Sequence, residues 1–485
     1  MSNNLKSKTL SGFVYKLLER IGAQGVNFIV SIVLARILLP EDYGVIALVT
    51  VFITILDVFV TYGFGNSLIA NKESDILDFS TCFYFGIIFS MIVYFVVFIA
   101  SPYISKFFDS PNLISVIRVM SLRIPFAAIN TVQHAYVSKH MIFKKFFIST
   151  SIGTVLSGAI AIIMAYCGFG VWALVEQYLG NVVCDTVCLW IIVGWRPKLC
   201  FSFNSLKSIY SYGWKILIVG LLDTGYNQLR NLIIGKIYSK EDLAYYNKGN
   251  QFPMTAMSVL EPTIVGVMFP SLSQCQDDIN EMRGITRRVI KTSTYIIFPI
   301  MMGLIAVAKP LVDVILTPKW EPCVIYLQIC CFALMFRPLQ FINTSVIQAS
   351  GHSGLLLKLD LIKKGFGIFV LLISIPFGVK GIAISLVISN LFSTFINIMP
   401  NRQILQYGYA LQIKDIQVNF ILAFIMGVVT YSITFIPLNV FVVFFLQIII
   451  GIVVYVSLSY IFSVDSFVYL LGFIKKIKSR KARGI

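Results

Sequence analysis

The chain has 485 residues, 58% of them hydrophobic and only 13% charged, with a mean hydropathy of +0.85 and a net charge of +17. Soluble domains run at about 25% charged, so a soluble globular class is excluded, and apolar runs of bilayer length mark a polytopic membrane protein. The lysine and arginine excess does not point to nucleic acid, because basic cytoplasmic loops account for it.

Runs long enough to cross a bilayer, punctuated by Pro, Gly and charge, fall at about 11–38, 44–69, 79–101, 113–137, 145–167, 171–194, 209–237, 247–270, 289–316, 323–349, 359–377, 380–400, 416–436 and 439–462. The spacing predicts an all-α polytopic membrane protein of about fourteen transmembrane helices joined by short loops. The first run carries Lys16, Glu19 and Arg20, then Gln24 and Asn27. It is too long and too charged for the apolar region of a cleavable signal. A lone charge at the bilayer centre costs about 2.5–3.5 kcal/mol on insertion scales, so such residues face a bundle interior or a wet cavity. At about 100° per residue, Lys16, Arg20 and Asn27 lie within about 40° of one another and form a cationic stripe.

An even number of spans puts both termini on one side. Of 39 basic residues, 24 fall on that side, Lys6, Lys139, Arg196, Arg283, Lys358 and the tail from Lys475 to Arg483 among them, against 9 on the other. Both termini are therefore expected in the cytoplasm, with the tail against anionic headgroups. The remaining six, Lys16, Arg20, Arg123, Lys215, Arg230 and Arg337, lie within the predicted spans.

The chain echoes itself. Ala35-Arg36-Ile37-Leu38-Leu39-Pro40-Glu41-Asp42-Tyr43-Gly44 closes the first run, and Gly235-Lys236-Ile237-Tyr238-Ser239-Lys240-Glu241-Asp242-Leu243-Ala244 closes the seventh in the same pattern. Gly12 is matched by Gly213, Asn27 by Asn227, and Gly170-Val171-Trp172-Ala173 by Gly381-Ile382-Ala383. The expected organisation is an N-lobe of six helices over residues 1–200 and a parallel-repeat C-lobe over 201–405, with helices 13 and 14 and the basic tail over 406–485. From Ile416 to Val464 there is no charged residue, which suits contact with lipid or with a lipid tail.

Nine cysteines lie mostly in apolar segments (Cys82, Cys167, Cys184, Cys188, Cys330 and Cys331 among them) and read as small core hydrophobes. His134, His140 and His352 are too scattered for a metal site, and no metal or other cofactor is expected.

Arg36 with Pro40-Glu41-Asp42-Tyr43-Gly44 resembles the turn after helix 1 in Wzx/TuaB-type lipopolysaccharide and polysaccharide biosynthesis flippases of the multidrug/oligosaccharidyl-lipid/polysaccharide superfamily. Gly63-Phe64-Gly65-Asn66-Ser67, Gly168-Phe169-Gly170-Val171-Trp172-Ala173-Leu174-Val175 and Trp195-Arg196-Pro197 are similar to the same family. So are Met268-Phe269-Pro270-Ser271-Leu272-Ser273, Phe298-Pro299-Ile300-Met301-Met302-Gly303-Leu304 and Lys319-Trp320, and the resemblance covers about residues 5–405. It implies a V-shaped pair of lobes around a central cavity. It also implies transfer of undecaprenyl-pyrophosphate-linked oligosaccharide repeat units from the inner to the outer leaflet of a bacterial cytoplasmic membrane. Expected partners are that lipid-linked oligosaccharide, the bilayer, a polysaccharide polymerase and glycosyltransferases.

The residues agree with an anionic cargo, since Arg and Lys are the natural partners of phosphate. Lys16 and Arg20 lead the candidates for pyrophosphate, followed by Arg230, which shares a helical face with Asp223 and Asn227, and then by Arg123 and Arg337. The structural alternative pairs Glu19 with Lys16 or Arg20 and Asp223 with Arg230. It also lets Lys16 snorkel, and lets the arginines beside Pro125 and Pro338 bind carbonyls freed by a kink. Asp57, Glu176, Asp185 and Glu261 are further acids within spans; they read as counter-ions to these arginines or as a proton or sodium site. Gln24 and Asn27 complete the polar cavity set. A potential of about 100 mV is worth about 2.3 kcal/mol per charge, so export of a doubly charged head needs no coupling ion. The rivals are a drug/cation antiporter, which calls for a cavity of acids and aromatics, and a polymerase or ligase, which calls for a large external loop or clustered catalytic groups.

Overall fold

The computed structural model describes residues 22, 24–61, 65–70, 75–140 and 142–472. Among them there is helix almost throughout and no strand. In chain order the helices are α1 (Gln24–Ile37), α2 (Pro40–Thr61), α3 (Gly65–Ala70), α4 (Ile76–Phe107), α5 (Leu113–Met120), α6 (Arg123–Lys139), α7 (Phe143–Tyr166), α8 (Val171–Ile192) and α9 (Phe203–Ile237). There follow α10 (Lys240–Gln274), α11 (Ile279–Ala306), α12 (Ala308–Leu311), α13 (Cys323–Met335), α14 (Arg337–Ala349) and α15 (Ser353–Ser374). The last are α16 (Gly378–Ile398), α17 (Asn401–Ile404), α18 (Tyr409–Ser432) and α19 (Val440–Ile461).

Ten helical stretches among the described residues are long and apolar enough to cross a membrane. The fourteen expected helices are not all of this kind. One stretch, Gly354–Ile404, joins α15 and α16, while α1, α8 and α9 fall outside the ten. For α8 and α9 the reason is composition, since α8 carries Glu176 and Asp185, and α9 carries Lys207, Lys215, Asp223, Arg230 and Lys236; α1 is apolar but short among the described residues.

The chain divides after Ala244 into two compact units. In the first, α7 packs along α8, α4 against α6, and α2 against α6 and α9. An aromatic core of Phe79, Phe83 and Trp195, with Tyr136 and Trp190 on its edge, fills one end. Arg196 explains the Trp-Arg-Pro motif. Its guanidinium binds the carbonyls of Val193 (2.7 Å), Trp195 (2.8 Å) and Trp190, tying off the end of α8. Residues 193–202 then run without helix to α9, and their amides of Lys198 and Ser202 donate to the Ser80 and Thr81 hydroxyls of α4, each at 3.1 Å.

In the second unit α11 packs along α18, α13 against α11 and α16, and α19 against α18. The uncharged stretch Ile416–Val464 is bracketed by Asp415 and Asp465, and Lys291 of α11 reaches both, at 3.5 and 3.0 Å. Arg287 adds two 2.7 Å hydrogen bonds to Asp415, and the Tyr407 hydroxyl donates to the same carboxylate at 2.8 Å. A buried amide cluster of Asn343, Asn401 and Gln412 ties α14 and α17 to α18.

Several expected boundaries move, and the following have a local reason. The run expected from 79 begins at Ile76, because Asp75 and Asp78 form a reciprocal capping box. The run expected over 289–316 begins at Ile279, where Asp278 accepts from the amides of Asn280 and Glu281, and ends at Ala306. Its first turns are charged, which hid them from a hydropathy reading. The fourth and tenth runs are each broken in two, at Ser121–Leu122 and at Phe336. Pro125 and Pro338 lack the amide that would continue the ladder across each break. Of the cysteines, Cys82, Cys323, Cys330 and Cys331 are buried, whereas Cys167, at the exposed end of α7, is not core.

Candidate functional site

Lys16, Glu19 and Arg20 lie outside the described residues. Gln24 on α1 is half-buried and Asn27 is exposed. The polar side chains that the structure brings together lie elsewhere, along α6. Arg123, Ala127, Asn130, Thr131, His134 and Ser138 recur at three- and four-residue steps and so share one helical face. That face, with Asp57 and Thr61 of α2, Gly65 of α3 and Val182 and Asp185 of α8, lines a cavity of about 340 Å³ inside the first unit.

Each wall has a local cause. Gly65 allows α3 to approach α6, since a Cβ there would stand 2.8 Å from Thr131 Cγ2. Gly153 does the same for α7 and α8, its would-be Cβ lying 3.2 Å from the Asp185 amide nitrogen. That approach lets the Ser149 hydroxyl reach the Asp185 carboxylate. The other Asp185 oxygen accepts from Asn130 Nδ2 at 3.3 Å and lies 3.4 Å from His134 Nε2.

Arg123 faces Asp57 with Nε 3.4 Å from Oδ2. This is an ion pair without a hydrogen bond, for both Arg123 Nε and Asp57 Oδ1 are buried with no hydrogen-bond partner. Asn130 Oδ1, turned away from Asp185 by the bond its amide nitrogen makes, is in the same condition.

The second unit holds a matching arrangement. Arg337, the first residue of α14, donates from Nε to Glu261 Oε2 of α10 at 2.7 Å. In both units, then, an acid within one helix meets an arginine at the first residue after a break. Acids of a neighbouring helix, rather than carbonyls freed by a kink, stand at the Nε atoms of both arginines.

The face shared by Asp223, Asn227 and Arg230 is exposed at the first two and buried at Arg230, whose guanidinium lies 5.9 Å from the centre of the Tyr226 ring. Glu176 is half-buried, its carboxylate folded back over Gly180 of its own helix. His134 and Asn130 were not singled out as site residues. The helical period of polar residues from Arg123 to Ser138 was the signal that could have found them.

A second cavity, of about 420 Å³, lies in the second unit among α11, α18 and α19. Ile300, Leu304, Met426, Phe444, Ile448 and Ile452 form much of its wall, Thr430, Gln447 and Tyr455 its few polar points, and no charged residue lines it.

Comparison with known proteins places this geometry. The model of a family described as polysaccharide biosynthesis protein matches residues 33–325. The chain is 22% identical over 321 residues to the succinoglycan biosynthesis transport protein ExoT of Rhizobium meliloti (strain 1021), spanning 66% of this chain and 65% of that protein. It is 23% identical over 442 residues to the lipopolysaccharide biosynthesis protein WzxC of Escherichia coli (strain K12), spanning 88% of each. Its fold is similar to that of the lipid II flippase MurJ in an inward closed conformation, with a TM-score of 0.77 at 15% identity over 93% of this chain and 98% of that one.

Proposed function

The chain belongs to the polysaccharide biosynthesis protein family, and from that premise we propose that it is a flippase and not an enzyme. It carries undecaprenyl-pyrophosphate-linked oligosaccharide repeat units from the inner to the outer leaflet of a bacterial cytoplasmic membrane, by alternating access through a cationic cavity, for capsule, exopolysaccharide or O-antigen synthesis. The observation that carries this reading is the charge-free cavity on α11, α18 and α19 in a chain that also keeps basic residues inside its helices. An amphipathic anion needs both: apolar surface for a polyprenyl tail and fixed cations for its head.

In this reading α1, α8 and α9 also cross the membrane, as the polar walls of a fourteen-helix protein with cytoplasmic termini. The two acid–arginine pairs at helix breaks support a parallel repeat of two six-helix lobes, with α18 and α19 appended. Lys16 and Arg20 take the pyrophosphate first and Arg230 supports them. Gln24, Asn27, Asp223, Asn227 and Glu176 supply polar contacts. Arg337, hydrogen-bonded to Glu261, serves mainly to hold its helix break, whereas Arg123 faces Asp57 without a hydrogen bond and stays open to the cargo.

The test is the double reversal Lys16→Glu with Arg20→Glu, followed by an assay of which leaflet holds the lipid-linked oligosaccharide. We expect retention in the inner leaflet; normal export at a normal protein level overturns the assignment. A potential of about 100 mV supplies roughly 4–5 kcal/mol to a head with two charges. Wild-type export should therefore stop when the potential alone is collapsed. Export that survives this, yet stops when a proton or sodium gradient is dissipated, rules out the potential as driver.

A further inference from the structure

We propose that the cavity between Asp57, Arg123, Asn130 and Asp185 receives an uncharged, hydroxyl-rich sugar ring of the cargo rather than its pyrophosphate. The inference rests on the flippase reading and assigns a place within it.

Charge argues first. The lining offers one guanidinium against two carboxylates, with His134 already beside Asp185. A pyrophosphate entering there meets more negative than positive charge. A bare cation meets the Arg123 guanidinium. A neutral ligand meets neither obstacle.

Hydrogen bonding argues second, and independently. Three buried atoms of residues that line this cavity lack partners: the acceptors Asp57 Oδ1 and Asn130 Oδ1, and the donor Arg123 Nε. Each such atom costs about 1–3 kcal/mol when left unpaired, so three together call for an occupant. An occupant toward which these side chains turn must donate twice and accept once. An anion satisfies only the guanidinium and a metal ion only the two oxygens. Hydroxyls do both, those of a sugar as readily as those of the water it would displace, because each O–H donates one bond and accepts others.

Size and access agree. A volume of about 340 Å³ lies at the small end of ligand pockets, which span about 300–1,000 Å³, and suits one sugar ring rather than an oligosaccharide. The His134 side chain is 45% exposed, so the cavity has a mouth.

The experiment measures binding to the full-length protein in nanodiscs. The probes are undecaprenyl pyrophosphate alone and the same lipid carrying glucose, galactose or N-acetylglucosamine. Wild type should bind at least one sugar-bearing form about tenfold more tightly than the bare lipid. Asn130→Ala and Asp185→Asn should each bring that ratio below about twofold and leave the affinity for bare lipid unchanged. Thr131→Val, which removes a lining hydroxyl at nearly constant volume, should lower the ratio in a protein that melts like wild type. The proposal fails if no sugar-bearing form is preferred, if folded variants keep the preference, or if they lose affinity for bare lipid to the same extent. Wild type that binds neither bare nor sugar-bearing lipid overturns the flippase reading itself, and this inference with it.

Discussion

The two units solve the same problem differently. Each sets an acid against an arginine that opens a new helix after a break, Asp57 with Arg123 in the first and Glu261 with Arg337 in the second. In the second unit the pair closes to a 2.7 Å hydrogen bond; in the first it stands at 3.4 Å, with an unpaired atom on each side and a cavity beside it. The difference is one methylene. Glutamate reaches its arginine, whereas aspartate stops short and leaves polar atoms for something else to satisfy. A shared scaffold thus serves as a tie in one unit and as an open seat in the other.

The contrast can be broken most directly by removing the arginines. Arg337→Ala strands Glu261 and should lower unfolding stability in detergent by about 2–3 kcal/mol. That is less than the 3–5 kcal/mol of a fully buried pair, because both side chains are about a third exposed. Arg123→Ala should cost about 1 kcal/mol or less, the missing hydrogen bond having little to lose, yet impair export more than Arg337→Ala does. Equal melting losses would mean that the two pairs do the same work. Exchanging the acids sharpens the point with smaller effects. Asp57→Glu should close the gap, raise stability by about 0.5–1 kcal/mol and reduce export, and Glu261→Asp should lower stability by a similar amount with export intact. A melting curve paired with a leaflet assay reads both. The smallest effect is expected at a tie of another kind, the Lys291 bridge between Asp415 and Asp465. Lys291→Met should cost about 0.5–1 kcal/mol, since Arg287 still holds Asp415 and Asp465 is largely exposed.

Much of this frame is legible in the residues. Apolar runs located most of the helices, and the scarcity of charge inside them singled out Asp57, Arg123, Glu261 and Arg337. Of the acids read as counter-ions to arginines, Asp57 and Glu261 face one, while Asp185 faces His134 instead. What one chain position cannot reveal is its neighbour across space. Asp185 meets Ser149, Asn130 and His134 only because Gly153 and the packing of α6, α7 and α8 bring three helices together. Histidines counted for metal spacing gave no reason to see His134 as the rim of a cavity. Hydropathy also failed where helices are polar by design. It started α11 ten residues late, because Arg283, Arg287 and Arg288 sit in its first turns, and it passed over the capping signal of Asp278 and Glu281. Lys16, Glu19 and Arg20, prominent in the sequence, fall outside the described residues.

The ten residues 193–202 have no helix and would strike a protein engineer as the natural place to cut the gene into complementing fragments. Their chemistry argues otherwise. Trp195 sits in an aromatic core, Arg196 seals the helix before it, and the amides of Lys198 and Ser202 are held by α4 hydroxyls. A break there would leave a helix end unsealed and strip two hydroxyls of the donors that fill them. A segment that reads as a seam is stitched on both edges, and the chain is better parted where no side chain has taken hold of the backbone.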